Sequence, residues 1–199
     1  MQTGRRRWLS GLAAVALVAG TAVPSGATTL LRRSLDDLVA TNRTIVLGEV
    51  VDARSYWNQD HTFILTDVRI AADDVVKGAL PGREVTVTLM GGKVGGLTTV
   101  IVGGPELVPG RSYVLFLDRT NLPGVANALT VRDFSQGVFD LEIAADGLRA
   151  ISQASGQPLV PDAKGNREAP GGREGLQLGT MLRHIRAIDA RENGRQEVK

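Results

Sequence analysis

Cysteine is absent from this chain of 199 residues, and its absence excludes several kinds of chemistry. There can be no disulfide, no thiolate nucleophile and no thiolate ligand for a metal. A lipid anchor attached through an N-terminal cysteine is excluded as well. Because roughly two-thirds of the unfolded surface is buried in a domain of about this size, the fold does not require covalent cross-links.

Aromatic residues and excess charge are also scarce. The chain has two Trp, two Tyr and four Phe, too few for the base-stacking surfaces of proteins that bind single-stranded nucleic acids. It has 23 Lys and Arg against 21 Asp and Glu, and three of the arginines, at positions 5 to 7, lie in an N-terminal targeting pattern. Without them, 20 basic residues face 21 acidic ones, a net charge of −1. A surface this close to neutral disfavours a nucleic-acid partner.

The N-terminal sequence "MQTGRRRWLSGLAAVALVAGTAVPSGATT" has the layout of an export signal. Three arginines precede an apolar run from Leu12 to Ala19, and small residues follow it. We predict an export signal peptide over residues 1–27, cleaved after Ala27 or alternatively after Ala22, and "RRRWL" loosely fits a twin-arginine signal. The apolar run is much shorter than the ~20 residues that span a bilayer. We therefore expect an exported protein, secreted or kept in the cell envelope, with no stable membrane span after signal removal.

Six stretches rich in β-branched and large apolar residues follow, and turn residues separate them. They are residues 44–57, 62–78, 83–90, 97–104, 111–118 and 128–144. In one of them Val85, Val87 and Leu89 alternate with polar residues, as expected of a strand with one buried face. Short connections without helices between these stretches predict a mainly β fold, an antiparallel sheet or small barrel over residues 28–150.

Two helices are predicted to flank these strands. In "SLDDLVATNR", Ser34 can cap a short helix, with Asp37 three residues later. Near the other end, within residues 176–199, "TMLRHIRAIDAREN" places apolar residues on one side at helical spacing. Thr180 is the expected N-cap of this amphipathic helix and Gly194 its expected stop. We expect the helix to pack on the sheet or across a barrel end.

Residues 151–175 contain mostly Gly, Pro and polar residues. Such a composition buries too little apolar surface to offset the entropy of the chain. We therefore predict a mobile loop between the strands and the C-terminal helix.

The stretch "LMGGKVGGLTTVIVGG", residues 89–104, invites the interpretation of a phosphate-binding loop around Lys93. That motif requires a helix after the glycines, whose N-terminal amides face the anion. Here the glycines are followed by a strand pattern, and the spacing of a dinucleotide fingerprint is not met. We predict instead a hairpin or bulged crossing, in which glycine permits positive φ angles.

Other residues that could carry chemistry are dispersed along the chain. Neither histidine belongs to a metal-binding motif, no serine lies in a nucleophile elbow, and two adjacent carboxylates fall at the end of a strand pattern, where their side chains would point to opposite faces. These residues are His61, His184, Ser112, Ser135, Asp73 and Asp74. We assign no catalytic, cofactor-binding or metal-binding residue from the sequence, and we expect no cofactor.

The cluster "SYWNQDHT" is the most suggestive interaction feature, at the tip of the first predicted hairpin. Tyr and Trp are common at binding hot spots, and loops on rigid strands often carry recognition residues. We predict an interaction site formed by Tyr56, Trp57, Asn58 and His61. The alternative is that Trp57 folds back and closes one end of a barrel.

With the strands placed, their order resembles the OB-like barrel of the netrin-like module. That module is best known from the tissue inhibitors of metalloproteinases and from similar cysteine-free exported proteins of bacteria. The resemblance covers residues 44 to about 143 and rests on four stretches with a Gly-rich connection before the last: "TIVLGEVV", "DVVKG", "EVTVTLM" and "LVPGRSYVLFL". It implies an antiparallel OB-like barrel of five to six strands.

The chain departs from these inhibitors at its N-terminus. They chelate the protease zinc through the amino group and carbonyl of an N-terminal cysteine, which disulfides hold on the barrel. The mature chain predicted here begins with Thr28 and Thr29, and no disulfide could fix them. The resemblance therefore implies the fold, while metalloprotease inhibition is only an analogy at the level of the fold.

The functional hypothesis from the sequence is an exported, non-catalytic β-barrel binding module. It would recognise a protein partner or ligand through its loops, and a secreted protease is one such partner. Two alternatives stay open. One is a hydrolase acting on the cell envelope with dispersed catalytic residues, and the other is a structural envelope protein.

Overall fold

The structure is a computed structural model that describes residues 30–196. The predicted export signal, residues 1–27, lies outside the described residues. None of the helices within residues 30–196 has the length and apolar character that a membrane crossing requires.

The described chain is mainly β, with a helix near each end, as the sequence predicted. A short 3-10 helix, Phe134–Gly137, lies between two strands. The elements are β1 (Leu30–Leu31), α1 (Leu35–Thr41), β2 (Thr44–Trp57), β3 (Ile64–Lys77), β4 (Glu84–Met90), β5 (Gly92–Val94), β6 (Leu97–Thr99), β7 (Ser112–Leu122), β8 (Val125–Val131), β9 (Val138–Ala144), β10 (Gly147–Ser152), β11 (Leu159–Val160), β12 (Leu176–Gln177) and α2 (Leu178–Gln196).

Eight of the strands form one antiparallel sheet. Its order is β12-β10-β9-β7-β2-β3-β4, and β8 pairs with β7 beside β9. One edge of β7 pairs with β2 over its first half, and the other edge is divided between β9, at Tyr113–Leu115, and β8, at Leu117–Leu122. β7 is therefore the strand through which the two halves of the sheet are joined.

The predicted closed barrel is not formed by these strands. β4 and β8 lie side by side at the two ends of the path β8-β7-β2-β3-β4, yet no hydrogen-bonded ladder joins them in the described chain. At Met90 the chain leaves β4 through Gly91 and Gly92, whose φ angles are +90° and +135°, and turns into the β5–β6 hairpin. We call the gap between β4 and β8 the seam; it is filled by side chains rather than by backbone pairing.

The number of strands also differs from the prediction. Residues 128–144 were expected to form one strand, but a turn and the 3-10 helix divide them into β8 and β9. Phe134 has a φ of +53° there, which a continuous strand does not allow. Of the expected strand 97–104, only Leu97–Thr99 pairs as a strand.

Two hydrophobic cores lie on opposite faces of the sheet, and β7 supplies both. Tyr113, Leu115 and Leu117 point into a first core on the face of the sheet that curves toward the seam. Side chains of β2, β3, β4 and β8 complete this core. Val114 and Phe116 point the other way, into a second core beneath the helices. This alternation explains why "YVLFLD" is buried along its whole length.

The helices cover the second core. The predicted capping box is confirmed, because the Ser34 hydroxyl accepts from the Asp37 amide at 3.1 Å and the Asp37 carboxylate accepts from the Ser34 amide at 3.0 Å. The predicted apolar stripe of α2 is confirmed too. Met181, Leu182, Ile185 and Ile188 are all buried.

The predicted N-cap of α2 is wrong. The helix starts at Leu178, and the Thr180 amide donates to the side-chain carbonyl of Gln177 at 2.6 Å. The Thr180 hydroxyl instead accepts from Arg183 at 3.0 Å. Gly194 does not end the helix either, since α2 continues to Gln196.

Residues 151–175 are connected to the N-terminal strand. Within them β11 pairs in parallel with β1, and the Arg32 guanidinium forms an ion pair with Asp162 and donates to the Glu168 carbonyl. Ala154, Leu159 and Ala169 make a small third core. The mobility of residues 151–175 in solution stays a prediction.

Replacing Ile45 by Ala should destabilise the fold by about 2–5 kcal/mol, because Ile45 is fully buried in the second core and its removal leaves a cavity. The control is Ile143→Ala, also on a strand but 88% exposed, which should change the free energy of unfolding by less than about 0.5 kcal/mol. Denaturant unfolding of both variants measures the difference. Equal losses would contradict the two-core arrangement.

Candidate functional site

The four residues predicted to form an interaction site do not form one exposed surface. Asn58 is only 3% exposed. Its side-chain carbonyl accepts from the amides of Thr62 and Phe63 at 2.9 and 3.0 Å, so it holds the turn between β2 and β3. This contact gives Asn58 a structural role in the turn.

The other three residues of the predicted site, Tyr56, Trp57 and His61, are half-buried or exposed. The half-buried Tyr56 donates its hydroxyl to Asp67 at 3.1 Å, and burial raises the pKa of the phenol above its usual value. The rings of Trp57 and His61 lie 6.5 Å apart at the tip of the turn, where His61 is exposed with a φ of +53°. Recognition by this tip stays a prediction.

The dispersed polar residues take part in contacts between elements. The His184 ring lies 2.8 Å from the Asp36 carboxylate and joins α2 to α1, and Arg186 pairs with Asp74 and joins α2 to β3. Ser135 is buried and donates to the side chain of Gln157. Among residues 30–196, no group of three or more His, Asp or Glu side chains is placed to hold a metal ion.

The Gly-rich stretch forms a hairpin, as predicted. β5 and β6 pair antiparallel, and Gly95 and Gly96 form the two-residue loop between them. Gly95 has a φ of +59°, which suits the tight turn of such a hairpin. Lys93 is exposed.

Two hydroxyl groups attach this hairpin to the long strands β2 and β3. Ser55 and Thr66 lie 2.9 Å apart across those strands, Thr66 donates to the Gly91 carbonyl at 2.7 Å, and the Lys93 amide donates to Ser55 at 3.3 Å. A Cβ atom at Gly92 would lie 2.3 and 2.4 Å from the two hydroxyl oxygens. Only glycine fits there, so the hairpin is held in one position over the sheet.

Residues 100–107, which we call the strap, follow the hairpin and cross the open side of the sheet. Gly103 accepts from the Ser135 amide at 2.9 Å. The Gln153 side chain pairs with both backbone groups of Glu106, at 2.9 and 2.7 Å, and Leu107 is buried in the first core. Side chains and single backbone bonds therefore fix the strap, in place of a strand ladder.

Large aliphatic side chains are exposed along the hairpin and the strap. Leu97 is 61% exposed, Val100 76% and Val102 73%. The sequence pattern predicts an ordinary strand over these residues and does not indicate their exposure. The available signal was the run of three consecutive apolar residues at 100–102 between two glycine pairs, because a strand with one buried face alternates instead.

Two adjoining cavities lie beside the strap. The first, about 260 Å³, opens at the seam between β4 and β8; the second, about 440 Å³, lies between the strap and β3 and β4. Both are lined by Ile101 and Pro105 of the strap and by Leu89 and Met90 at the end of β4. The exposed aliphatic side chains thus border concave surface of mixed polar and apolar lining.

A third, polar pocket of about 300 Å³ lies behind the strap. Asp140 lies within it, 3.2 Å from the Arg111 guanidinium. Burial raises the pKa of the Asp140 carboxyl above its usual value, although the positive charge of Arg111 acts in the opposite direction. Glu106 and Glu142 add negative charge that also disfavours ionisation.

Comparison with known proteins assigns the chain to no family. Neither a scan against protein-family models nor a search of curated proteins finds a match to the chain. The resemblance to the netrin-like module therefore stays a prediction.

Replacing Gly92 by Ala should destabilise the fold by about 1–3 kcal/mol, because the new methyl group would meet Ser55 and Thr66 at a strained φ. Gly96→Ala in the same hairpin is the matched control, since a Cβ atom there meets nothing within 4 Å. Thermal unfolding compares the two variants. If Gly92→Ala is as stable as Gly96→Ala, the hairpin is not docked as described.

The raised pKa of Asp140 predicts a pH dependence of stability. The native carboxyl holds its proton at pH values where the unfolded one, with a pKa near 3.9, has lost it. The contribution of Asp140 to stability is therefore greatest below about pH 4 and is lost as the pH rises through the native pKa. The free energy of unfolding of the wild type, relative to Asp140→Asn, should fall over that range. A difference that rises with pH would contradict the assignment.

Proposed function

We propose that this chain is an exported, non-catalytic binding module that recognises a protein partner through the strap and the β5–β6 hairpin. The observation that carries the proposal is the exposure of Leu97, Val100 and Val102 beside two cavities of mixed polar and apolar lining. Three exposed aliphatic side chains on one short segment, rather than scattered singly, favour a site of interaction.

The support beneath these residues favours recognition. The hairpin is fixed by Ser55 and Thr66, and the strap by Ser135 and Gln153. A surface held in advance loses little conformational entropy when a partner binds, so more of the contact energy contributes to affinity. Apolar side chains on a rigid loop therefore suit a binding role.

The shape of the surface favours a protein over a small molecule. Both cavities open to solvent. Val100 lines the second of them, whereas Leu97 and Val102 stand outside both. A protein partner can place side chains in both cavities while covering the valines. A small ligand in either cavity would leave Leu97 and Val102 in water.

The order of the strands supports an OB-like interpretation of the fold. The path β8-β7-β2-β3-β4, with its end strands adjacent across the seam, supports the proposal of a five-stranded, partly open Greek-key barrel. This is the architecture that the netrin-like resemblance implies. A secreted protease is accordingly one version of the proposed partner, and its inhibition one version of the function.

The double substitution Val100→Asp with Val102→Asp should weaken partner binding at least tenfold, or about 1.4 kcal/mol. The probe is a set of 12-residue peptides selected from a random displayed library against the full chain, with affinities measured by calorimetry. The charged side chains would have to be desolvated at the contact, while folding should persist because both positions are exposed.

The matched control is Ile143→Asp, an equally exposed aliphatic position on the β9–β10 hairpin. The affinity of the Ile143→Asp variant for the selected peptides should equal that of the wild type. Peptides that bind the double variant as tightly as the wild type, or that lose affinity equally on Ile143→Asp, would refute the strap as the recognition surface.

A further inference from the structure

The outer strand of the β5–β6 hairpin has a free backbone edge. In a hairpin with a two-residue loop the closing pair, here Val94 and Leu97, is hydrogen-bonded, and the next pair, Lys93 and Thr98, is not. The amide and carbonyl of Thr98 therefore point away from β5. Within residues 30–196, no backbone group from another element pairs with Thr98 or Val100.

The paired part of this edge is short, Leu97–Thr99, but the edge lacks the charged residues and prolines that usually prevent strand pairing. Native edge strands are commonly shielded by charged residues, by proline or by very short length. At the far edge of the large sheet, β12 has two residues and follows Arg173 and Glu174. The segment from Val94 to Val102, in contrast, has neither a charged residue nor a proline.

Each face of the free edge carries one exposed aliphatic side chain beside a threonine. Leu97 and Val100 lie on opposite faces because side chains alternate along a strand, and both are largely exposed. The edge ends at a turn, where the Gly104 amide donates to the Ile101 carbonyl at 2.9 Å. A strand of four or five residues laid along it would cover both side chains and reach the cavity beside Ile101.

We infer that the partner is recognised by strand addition: an extended segment of the partner protein pairs through its backbone with the outer edge of residues 97–100. This rests on the proposed function and specifies how the strap and hairpin bind. Backbone pairing supplies affinity, and the side chains that alternate along the added strand supply selectivity.

Charge complementarity indicates the sequence of the added strand. Lys93 is the one charged residue between Gly91 and Pro105, and it lies directly opposite Thr98 on the same face of the hairpin. An added strand would lie about 10 Å from Lys93, two strand spacings, within reach of a Lys and a Glu side chain together. We expect aliphatic residues with an acidic residue facing Thr98. A second copy of this edge brings another lysine and no acid.

The test uses the full chain and a synthetic probe: a capped seven-residue peptide of alternating valine and threonine with one central glutamate. Amide chemical shifts report where it binds, and calorimetry reports how tightly. We expect shifts confined to the hairpin and strap, and at least tenfold weaker binding when alternate peptide nitrogens that face the edge are methylated. Methylation removes the peptide's donors and leaves the protein unchanged, and a peptide methylated on the nitrogens that face away from the edge controls for the added bulk.

Two further comparisons test the charge pairing with Lys93 and the role of the Val100 amide. A peptide with lysine in place of the glutamate should bind several-fold weaker to the wild type, and this difference should vanish in Lys93→Ala. Val100→Pro, which removes an edge amide, should weaken binding of the unmethylated peptide at least tenfold, whereas Val100→Thr, which keeps the amide and the branched shape, should weaken it much less.

The outcomes separate this inference from the proposed function. If display-selected peptides require Val100 and Val102 but methylated and unmethylated forms bind alike, strand addition is wrong and the proposed function stands. If no peptide shifts the hairpin or strap, both are wrong. If the chain alone dimerises with shifts at Thr98 and Val100, the occupant is a second copy and the inferred partner is overturned.

Discussion

The burial of β7 on both faces is the constraint on which the rest of the structure depends. Because Tyr113, Leu115 and Leu117 point to one side and Val114 and Phe116 to the other, the strand has to be covered by two separate layers. One layer is the pair of helices. The capped helix α1 and the apolar stripe of α2 both contribute side chains to the second core. The other layer is the curved part of the sheet, which ends in the seam between β4 and β8.

The open seam accounts for the exposed surface. β4 stops at Met90, where the positive φ angles of two glycines redirect the chain, so the strap crosses the opening instead of a paired strand. Leu107 provides its apolar anchor, and Gln153 and Ser135 satisfy its backbone groups. Since these contacts lie on the inner side of the strap, its outer side chains and the edge of β6 are left without cover.

The sequence predicted what depends on neighbouring residues. The capping box of Ser34 and Asp37 and the alternation around Val87 are local patterns, and both helices and the mainly β character followed from such patterns. Prediction from the sequence failed where a contact between distant residues decides the structure. The exposure of Val100 depends on anchors at Ser135 and Gln153. Asn58 is buried against the β7–β8 turn, where its side-chain amide donates to the Pro123 carbonyl. Nothing in the local sequence indicates these partners.

Hydrogen exchange of individual amides in the free, full-length chain tests most directly the claim that a fixed strap presents an open strand edge. The amides of Leu115 and Phe116 should exchange only through global unfolding, since β7 is paired on both sides. The Ser135 amide, which anchors the strap, should also be protected, whereas those of Thr98 and Val100 should exchange at nearly the rate of an unstructured peptide. Protection of Thr98 and Val100 equal to that of β7 would mean that the edge is already covered, and would contradict the account.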